Sequence, residues 1–392
     1  MQLNTSPLLE WWQESSDLLF ESHPSGTRVR QLTSAPAIST VIYHEQPFCS
    51  ADGNRIAVFR THDARRGVPG ELLVYDIEAY RLASLLTGSG GQDYVSTAAW
   101  SGVLFAAVAQ DANGLDRRIW RADLNTLECH EMFEGFPGLA SISADLQYGL
   151  TTAFLGEPQS DGRRELGVFR LDLQSGVREL LYRSYDIGNS HLQYRPDSAS
   201  RFLVQENRGW GYDRHGTFLP GENSTIGLCS IAADGSDRRE YPVGGRHTPG
   251  TTGHECWIGD TDRVLVSLSA PYHDGTRSGS VLELCHEWDK PRVVFETPYV
   301  WNHVSASRCG RYFVADCYDL PDVPLLLGSV ATGKTTVLCD AKTSGGGAQH
   351  THAHPYLTAN NRYVVFNSDR TGITQAYIAS VPDGLLESLE DN

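Results

Sequence analysis

Phe366-Asn367-Ser368-Asp369-Arg370-Thr371-Gly372-Ile373-Thr374-Gln375-Ala376-Tyr377 is the stretch from which the fold is read. An apolar run, Arg362-Tyr363-Val364-Val365-Phe366, leads into it. A cluster of Asn, Ser, Asp, Thr and Gly then breaks the run, and a second run starts at Ala376-Tyr377. Runs rich in Val, Phe and Tyr that are separated by such a cluster read as two strands joined by a loop.

Outward from this stretch, the same unit recurs. A polar turn opens each copy, and a strand, a variable polar loop, a strand ending in Asp, a charged turn and a third strand follow. Arg55-Ile56-Ala57-Val58-Phe59 and Glu71-Leu72-Leu73-Val74-Tyr75 belong to the first copy. Copies begin near Ser50, Ala98, Ser143, Pro196, Gly259, Ser307 and Ala359, about 45–63 residues apart. That spacing suits four short strands per unit. The last copy resembles the repeats of TolB-type β-propellers, so the expected fold is all-β, a seven-bladed β-propeller formed by residues 1–392 as one domain. Closing seven sheets into a ring protects their edges, and Thr27–Leu32 is placed to lend a strand to the last blade. A pair of β-sandwiches is the alternative, whereas the period is too long for a β-helix coil. Residues 1–20, with Leu8, Leu9, Trp11, Trp12, Leu18, Leu19 and Phe20 apolar, read as an N-terminal amphipathic helix.

Thirty-two basic residues face 48 acidic ones, for a net charge of −16. A nucleic-acid binder needs a basic face for the phosphates, so that class is disfavoured. Any acidic substrate has to meet local arginines or a bound cation. The basic residues are nearly all arginine, with Lys290, Lys334 and Lys342 the exceptions. The 8 cysteines are scattered without a Cys-x-x-Cys pair, which suits a reducing compartment. No basic leader and no long apolar run occurs, so we expect a cytoplasmic protein with no membrane span.

Chemistry concentrates in Gly345-Gly346-Gly347-Ala348-Gln349-His350-Thr351-His352-Ala353-His354-Pro355, where three of the chain's 14 histidines fall within five residues. Imidazole is the commonest protein metal ligand. In an extended segment His350, His352 and His354 would share a face; the plainer reading is a polar loop with incidental histidines. Preceding copies carry a histidine at the corresponding point: His303 in Trp301-Asn302-His303, His254 in Gly253-His254-Glu255-Cys256-Trp257 and His191 in Ser190-His191-Leu192. In a propeller those positions converge on one mouth of the central channel. The longest loops, Thr61–Gly70, Gly156–Arg164, Asn207–Ser224 and Ala270–Gly279, would wall that mouth if they share a face.

Gln349-x-x-His352-x-His354-Pro355, with His303 and His254-Glu255-x-Trp257 before it, resembles the oligogalacturonate lyase family. The similarity extends over most of the chain, to Gln46 in the first blade and Tyr194-Arg195-Pro196 in the fourth. It implies a seven-bladed propeller with a divalent metal, manganese, held by His303, Gln349, His352 and His354, and His254 as the catalytic base. It also implies an acidic oligosaccharide substrate, with Gln46, His191, Tyr194 and Arg195 as candidate contacts. The family's catalytic arginine aligns near Gly227, so Arg208 or Arg214 is the candidate replacement. The implied reaction is β-elimination, in which a base removes the weakly acidic C5 proton of a uronate and a cation steadies the charge on its carboxylate. The leaving oxygen would take a proton from water or from Tyr194. A lyase for a glucuronate-containing oligosaccharide and a non-catalytic binding propeller are the rival readings. A serine hydrolase is disfavoured by the lack of a Gly-x-Ser-x-Gly elbow.

Overall fold

A computed structural model describes all residues except 1–8, 15–19, 44, 66–67, 90–93, 111–116, 135–137, 161, 197, 214, 222–223, 249–250, 272–276 and 392. Seven antiparallel blades follow one another in the chain. The first is Ile38–Thr40, Arg55–Thr61, Gly70–Asp76 and Arg81–Ser89; the second is Val95–Thr97, Val103–Ala109, Arg117–Asp123 and Cys129–Glu134. Ser89 pairs with Val108, so these two blades share one continuous sheet. The third blade is Ser141–Ile142, Tyr148–Phe154, Leu166–Asp172 and Arg178–Ser184. The fourth is Gln193–Tyr194, Arg201–Arg208, Thr225–Ala232 and Arg239–Glu240. The fifth is Thr251–Trp257, Arg263–Pro271, Arg277–Cys285 and Arg292–Thr297. The sixth is Trp301–Ala306, Tyr312–Cys317, Pro324–Ser329 and Thr335–Asp340. The seventh joins Tyr356–Leu357, Tyr363–Ser368 and Gln375–Ser380 to the N-terminal strand Arg28–Gln31, with Phe20–Ser22 outside it.

The turns that open the sequence repeats therefore lie inside the blades, between innermost and second strands. The innermost strand of each blade is the short segment just before the turn, which is where the histidines stand.

The apolar residues explain the ring. Each blade buries both faces, one against the preceding blade and one against the following. Seven apolar layers result, each drawn from two neighbouring blades. Val103–Ala109 is buried at all but its last residue, and a strand covered on both sides reads as a continuous apolar run rather than an alternating one. The ring closes where Val29 pairs with Ala379 and Gln31 with Tyr377. Val29 lies in the layer between the sixth and seventh blades, beside Leu338 and Ala379. Val29→Asp buries an unpaired charge in that seam and is expected to lower stability by about 3 kcal/mol or more, read as a fall in Tm.

Where described, the N-terminal segment is not helical. Leu9–Glu14 holds no helix, and Trp12 exchanges two 2.9 Å backbone hydrogen bonds with Leu82 on the outer edge of the first blade. Glu14 accepts from the amides of Ser34 and Ala35 and pairs with Arg60 at 2.7 Å. The apolar residues that mimic a helical stripe pack on the first blade instead: Leu9, Trp11 and Trp12 lie against its layer, with the Arg81 guanidinium over Trp11. The unpaired edge of the outer strand favours an extended partner over a helix. The rest of the expected helix falls outside the described residues up to Phe20, which opens a strand. The only α-helix among the described residues is C-terminal, Leu385–Glu390.

Candidate active site

Antiparallel pairing puts the connection between second and third strands, and the crossover into the next blade, at the same end of every blade. The long loops and the starts of the innermost strands thus share a face. Asn207–Ser224 contributes most visibly to the wall there. Gly211–Tyr212 pairs with Phe218–Leu219, and Trp210 stacks on Phe218 with ring centroids 4.7 Å apart. A cavity of about 510 Å³ opens on this face, lined among others by Tyr43, Gln46, His191, Trp210, His254 and Gln349.

Local backbone irregularities aim the histidines. Pairing in the fifth blade slips between Thr251 and Glu255, where Gly253 has φ +77°, and in the sixth it slips between Trp301 and Val304. Such bulges re-aim side chains. The slip in the sixth blade takes His303 N–H out of the ladder, and it donates to Asp316 Oδ1 at 2.8 Å. His191 and His354 lead into the innermost strands of the fourth and seventh blades in the left-handed region, at φ +42° and +45°.

These devices bring imidazoles from several blades together. One ring nitrogen each from His303, His352 and His354 lies within 4.8 Å of the others. His303 and His354 are buried, and His352 is half-buried. His254 stands beside them, its ring centroid 4.3 Å from that of His303, and His191 follows 6.3 Å from His254. His303 Nδ1 is 2.8 Å from Asp316 Oδ2, which also accepts from the Tyr318 hydroxyl at 3.0 Å. The Tyr318 oxygen accepts from Ala353 N–H at 2.8 Å, tying the sixth blade to the backbone between His352 and His354. His352 Nε2 meets the Gly346 carbonyl at 2.9 Å, while its buried Nδ1 has no hydrogen-bond partner among the described residues. Burial, then His303, holds His352 below the usual imidazole range and His354 well below it. His254 is also well below it, through burial first and then His303 and His191. His254, His352 and His354 thus favour the neutral form, which binds a metal ion or takes up a proton.

Residues singled out by the sequence separate here. Gln349–Thr351 is a single 3₁₀ turn, so His350 does not continue an extended segment, and the metal-compatible group among the described residues is His303, His352 and His354. Gln349 is exposed at the cavity rim. Gln46 lines the cavity, its Nε2 donating to Ala140 O at 2.9 Å and its Oε1 accepting from Ser141 at 2.7 Å. Tyr194 is buried in the apolar layer between the third and fourth blades and does not line the cavity. Arg195 turns to Asp262 at 2.7 Å, at the opposite end of its blade.

Arg208 lies outside the cavity because strand alternation puts Gln205 and Asn207 on its wall and Glu206 and Arg208 on the other face. The Arg208 guanidinium binds buried Glu206 at 2.6 and 3.0 Å. Arg208→Ala is therefore expected to leave kcat/KM unchanged in a steady-state assay, since Arg238 still holds Glu206. Arg214 falls outside the described residues. No Arg or Lys appears among the described residues of the cavity wall. Sequence reasoning missed Asp316, Tyr318, Tyr43 and Glu45. The one available signal was an acid inside the apolar run Phe313-Val314-Ala315-Asp316-Cys317.

Comparison with known proteins bears on this arrangement. The chain matches no family model. It is 22% identical to an oligogalacturonate lyase of Dickeya dadantii (strain 3937), over 93% of this chain and 96% of that one. An oligogalacturonide lyase of Pectobacterium atrosepticum is 26% identical over 47% of this chain and 53% of its own. The chain is similar to oligogalacturonate lyases over most of its length. An oligogalacturonate lyase solved in complex with manganese superposes with a TM-score of 0.71 at 18% identity, covering 96% of this chain and 99% of that one. The enzyme from Vibrio parahaemolyticus gives 0.72 at 20% identity with the same coverage. The propeller domain of the Trilobed protease from Pyrococcus furiosus, described as having an open velcro topology, gives 0.53 at 11% identity, over 88% of this chain and 94% of that one. In the present chain the N-terminal strand completes the seventh blade.

Proposed function

We propose that this protein is a manganese-dependent lyase that cleaves oligogalacturonates by β-elimination and releases a 4,5-unsaturated uronate. One observation carries the reading: a further imidazole, His254, held neutral by burial, lies beside a three-imidazole cluster, on the wall of a cavity large enough for sugar rings.

The donor set fits a divalent ion. Asp316 engages Nδ1 of His303, the familiar arrangement in which a carboxylate orients a ligating histidine. The Gly346 carbonyl engages Nε2 of His352 and leaves Nδ1. One ring nitrogen from each of His303, His352 and His354 forms one face of a site, and Gln349 stands at the rim as a further neutral donor. Neutral nitrogen and oxygen donors suit manganese among several divalent ions, and a related lyase is known with manganese.

Bound there, the ion would act as a Lewis acid on the substrate carboxylate and steady the charge that develops on it. His254 removes the C5 proton, because it is held neutral and shares the cavity with the sugar. The amides of Gln46, Gln205 and Asn207 and the Trp210 ring provide uncharged contacts for the sugar. All eight cysteines are free thiols, which supports a reducing, cytoplasmic setting; no described helix is long and apolar enough to cross a membrane.

The conjugated product absorbs in the ultraviolet where the substrate does not. Purified protein with Mn²⁺ is expected to raise that absorbance on oligogalacturonates, and chelation is expected to stop it. No gain on any uronide, with or without added metal, would leave a binding propeller.

A further inference from the structure

A second set of ionisable groups meets the same cavity, and the scheme above leaves it unused. His191 Nδ1 lies 2.6 Å from Glu45 Oε1 and 4.0 Å from Glu255 Oε1. Its Nε2 lies 2.9 Å from Asn189 Nδ2. Tyr43 and His254 are the other titratable groups facing the ring, with centroids 6.4 and 6.3 Å away. Glu45 is 8% exposed and Glu255 is fully buried. Glu45 Oε2 also accepts from Gln193 Nε2 at 3.2 Å. Both oxygens of Glu255 lack a hydrogen-bond partner among the described residues. Burial pushes the Glu255 carboxyl well above the usual range, and Glu45 adds to this while His191 opposes it. Two buried carboxylates this close resist being ionised together unless a cation sits between them. The arrangement with least unpaired buried charge is a His191 imidazolium against Glu45, with Glu255 neutral and the Asn189 amide turned so that its oxygen, in place of Nδ2, accepts from Nε2–H.

We propose that His191 is the general acid of the elimination, delivering a proton to the leaving glycosidic oxygen while His254 takes the C5 proton. This rests on the lyase reading above. Both rings line the cavity, and their spacing lets each approach one of two adjacent carbons, as acid and base at C4–O and C5–H must. The C5–H bond breaks, its proton passes to His254, and its electron pair becomes the second C4–C5 bond. The C4–O bond breaks, and the oxygen keeps that pair and takes the proton of His191. No oxidant is needed, and proton exchange with water resets both rings. Tyr194, buried away from the cavity, has no access to this step. Glu45 is a positioning residue: it fixes the ring and favours its protonated form.

The test uses the full, manganese-loaded protein and two substrates, an oligogalacturonate and a galacturonate carrying 4-nitrophenoxide at O4. The second leaving group departs without a proton. His191→Gln is expected to lower kcat by about 10²–10⁴-fold on the oligosaccharide and to leave the aryl substrate close to wild type. An equal loss on both, or no loss on either, overturns the assignment, and His191→Ala serves as a second variant. Should neither fold, wild-type rates across aryl leaving groups of graded acidity decide: a shallow dependence supports protonation by the enzyme, and a steep one overturns it. Glu45→Gln is expected to move the high-pH limb of kcat/KM to lower pH, because the imidazolium loses its carboxylate; an unmoved limb removes Glu45 from that role. Wild-type protein inactive on both substrates would sink the lyase reading itself, an outcome separate from any difference between substrates in a variant.

Discussion

His254→Ala is expected to lower kcat by about 10²–10⁴-fold, the contribution of a positioned general base, with bound manganese close to wild type. The ring stands on the cavity wall beside the cluster, whereas the metal-compatible group is complete without it. Burial, and then the neighbouring His303 and His191 rings, favour its neutral form, so little free energy is spent in deprotonating it before reaction. The measurement pairs the ultraviolet assay with elemental analysis of the metal. Loss of both activity and metal would move His254 into the ligand set. Retained activity would leave C5 deprotonation without a base.

His303→Ala is expected to strip the metal and abolish turnover. Its ring is close to all the others, 4.4 Å from His354 and 5.3 Å from His352 between centroids. Asp316→Asn should act on the same site more gently. The side chain keeps its place, but the hydrogen bond that orients His303 loses its charge, and outer partners of this kind contribute about 10–100-fold to metal affinity. Titration of the apo protein with Mn²⁺ would rank wild type, Asp316→Asn and His303→Ala in that order. His350→Ala is the control: with His350 on the 3₁₀ turn and outside the group, affinity should hold. Equal damage from His350→Ala would shift the site onto the His350, His352 and His354 set.

The ring of blades was legible in the chain because each blade must bury two faces, and that demand repeats as strand, loop, strand at a steady interval. The alignment of histidines was legible for a related reason. A residue that keeps its place in every repeat keeps its place around the axis, so His191, His254, His303 and His354 were expected at one mouth before any distance was known. The N-terminal segment misled because amphipathic spacing records which side chains are covered, not what covers them. Leu9, Trp11 and Trp12 are covered by a sheet edge, which asks for an extended backbone.

Side-chain direction was not legible at the arginines. Whether Arg208 faces the cavity depends on strand register, and a shift of one residue exchanges the faces. The same limit hid Glu45 and Asp316. Glu45 meets His191 and Glu255 across the channel, 146 residues from the former, and Asp316 finds His303 only because a bulge frees a backbone amide. From its sequence alone this protein determined an all-β ring and the blades that bring imidazoles to its axis, since periodic burial is written in residue order. Which imidazoles share an ion, which acids hold them and which arginines turn away were decided by the tertiary structure. Those outcomes depend on bulges, left-handed turns and approaches of a few ångströms between segments far apart in the chain.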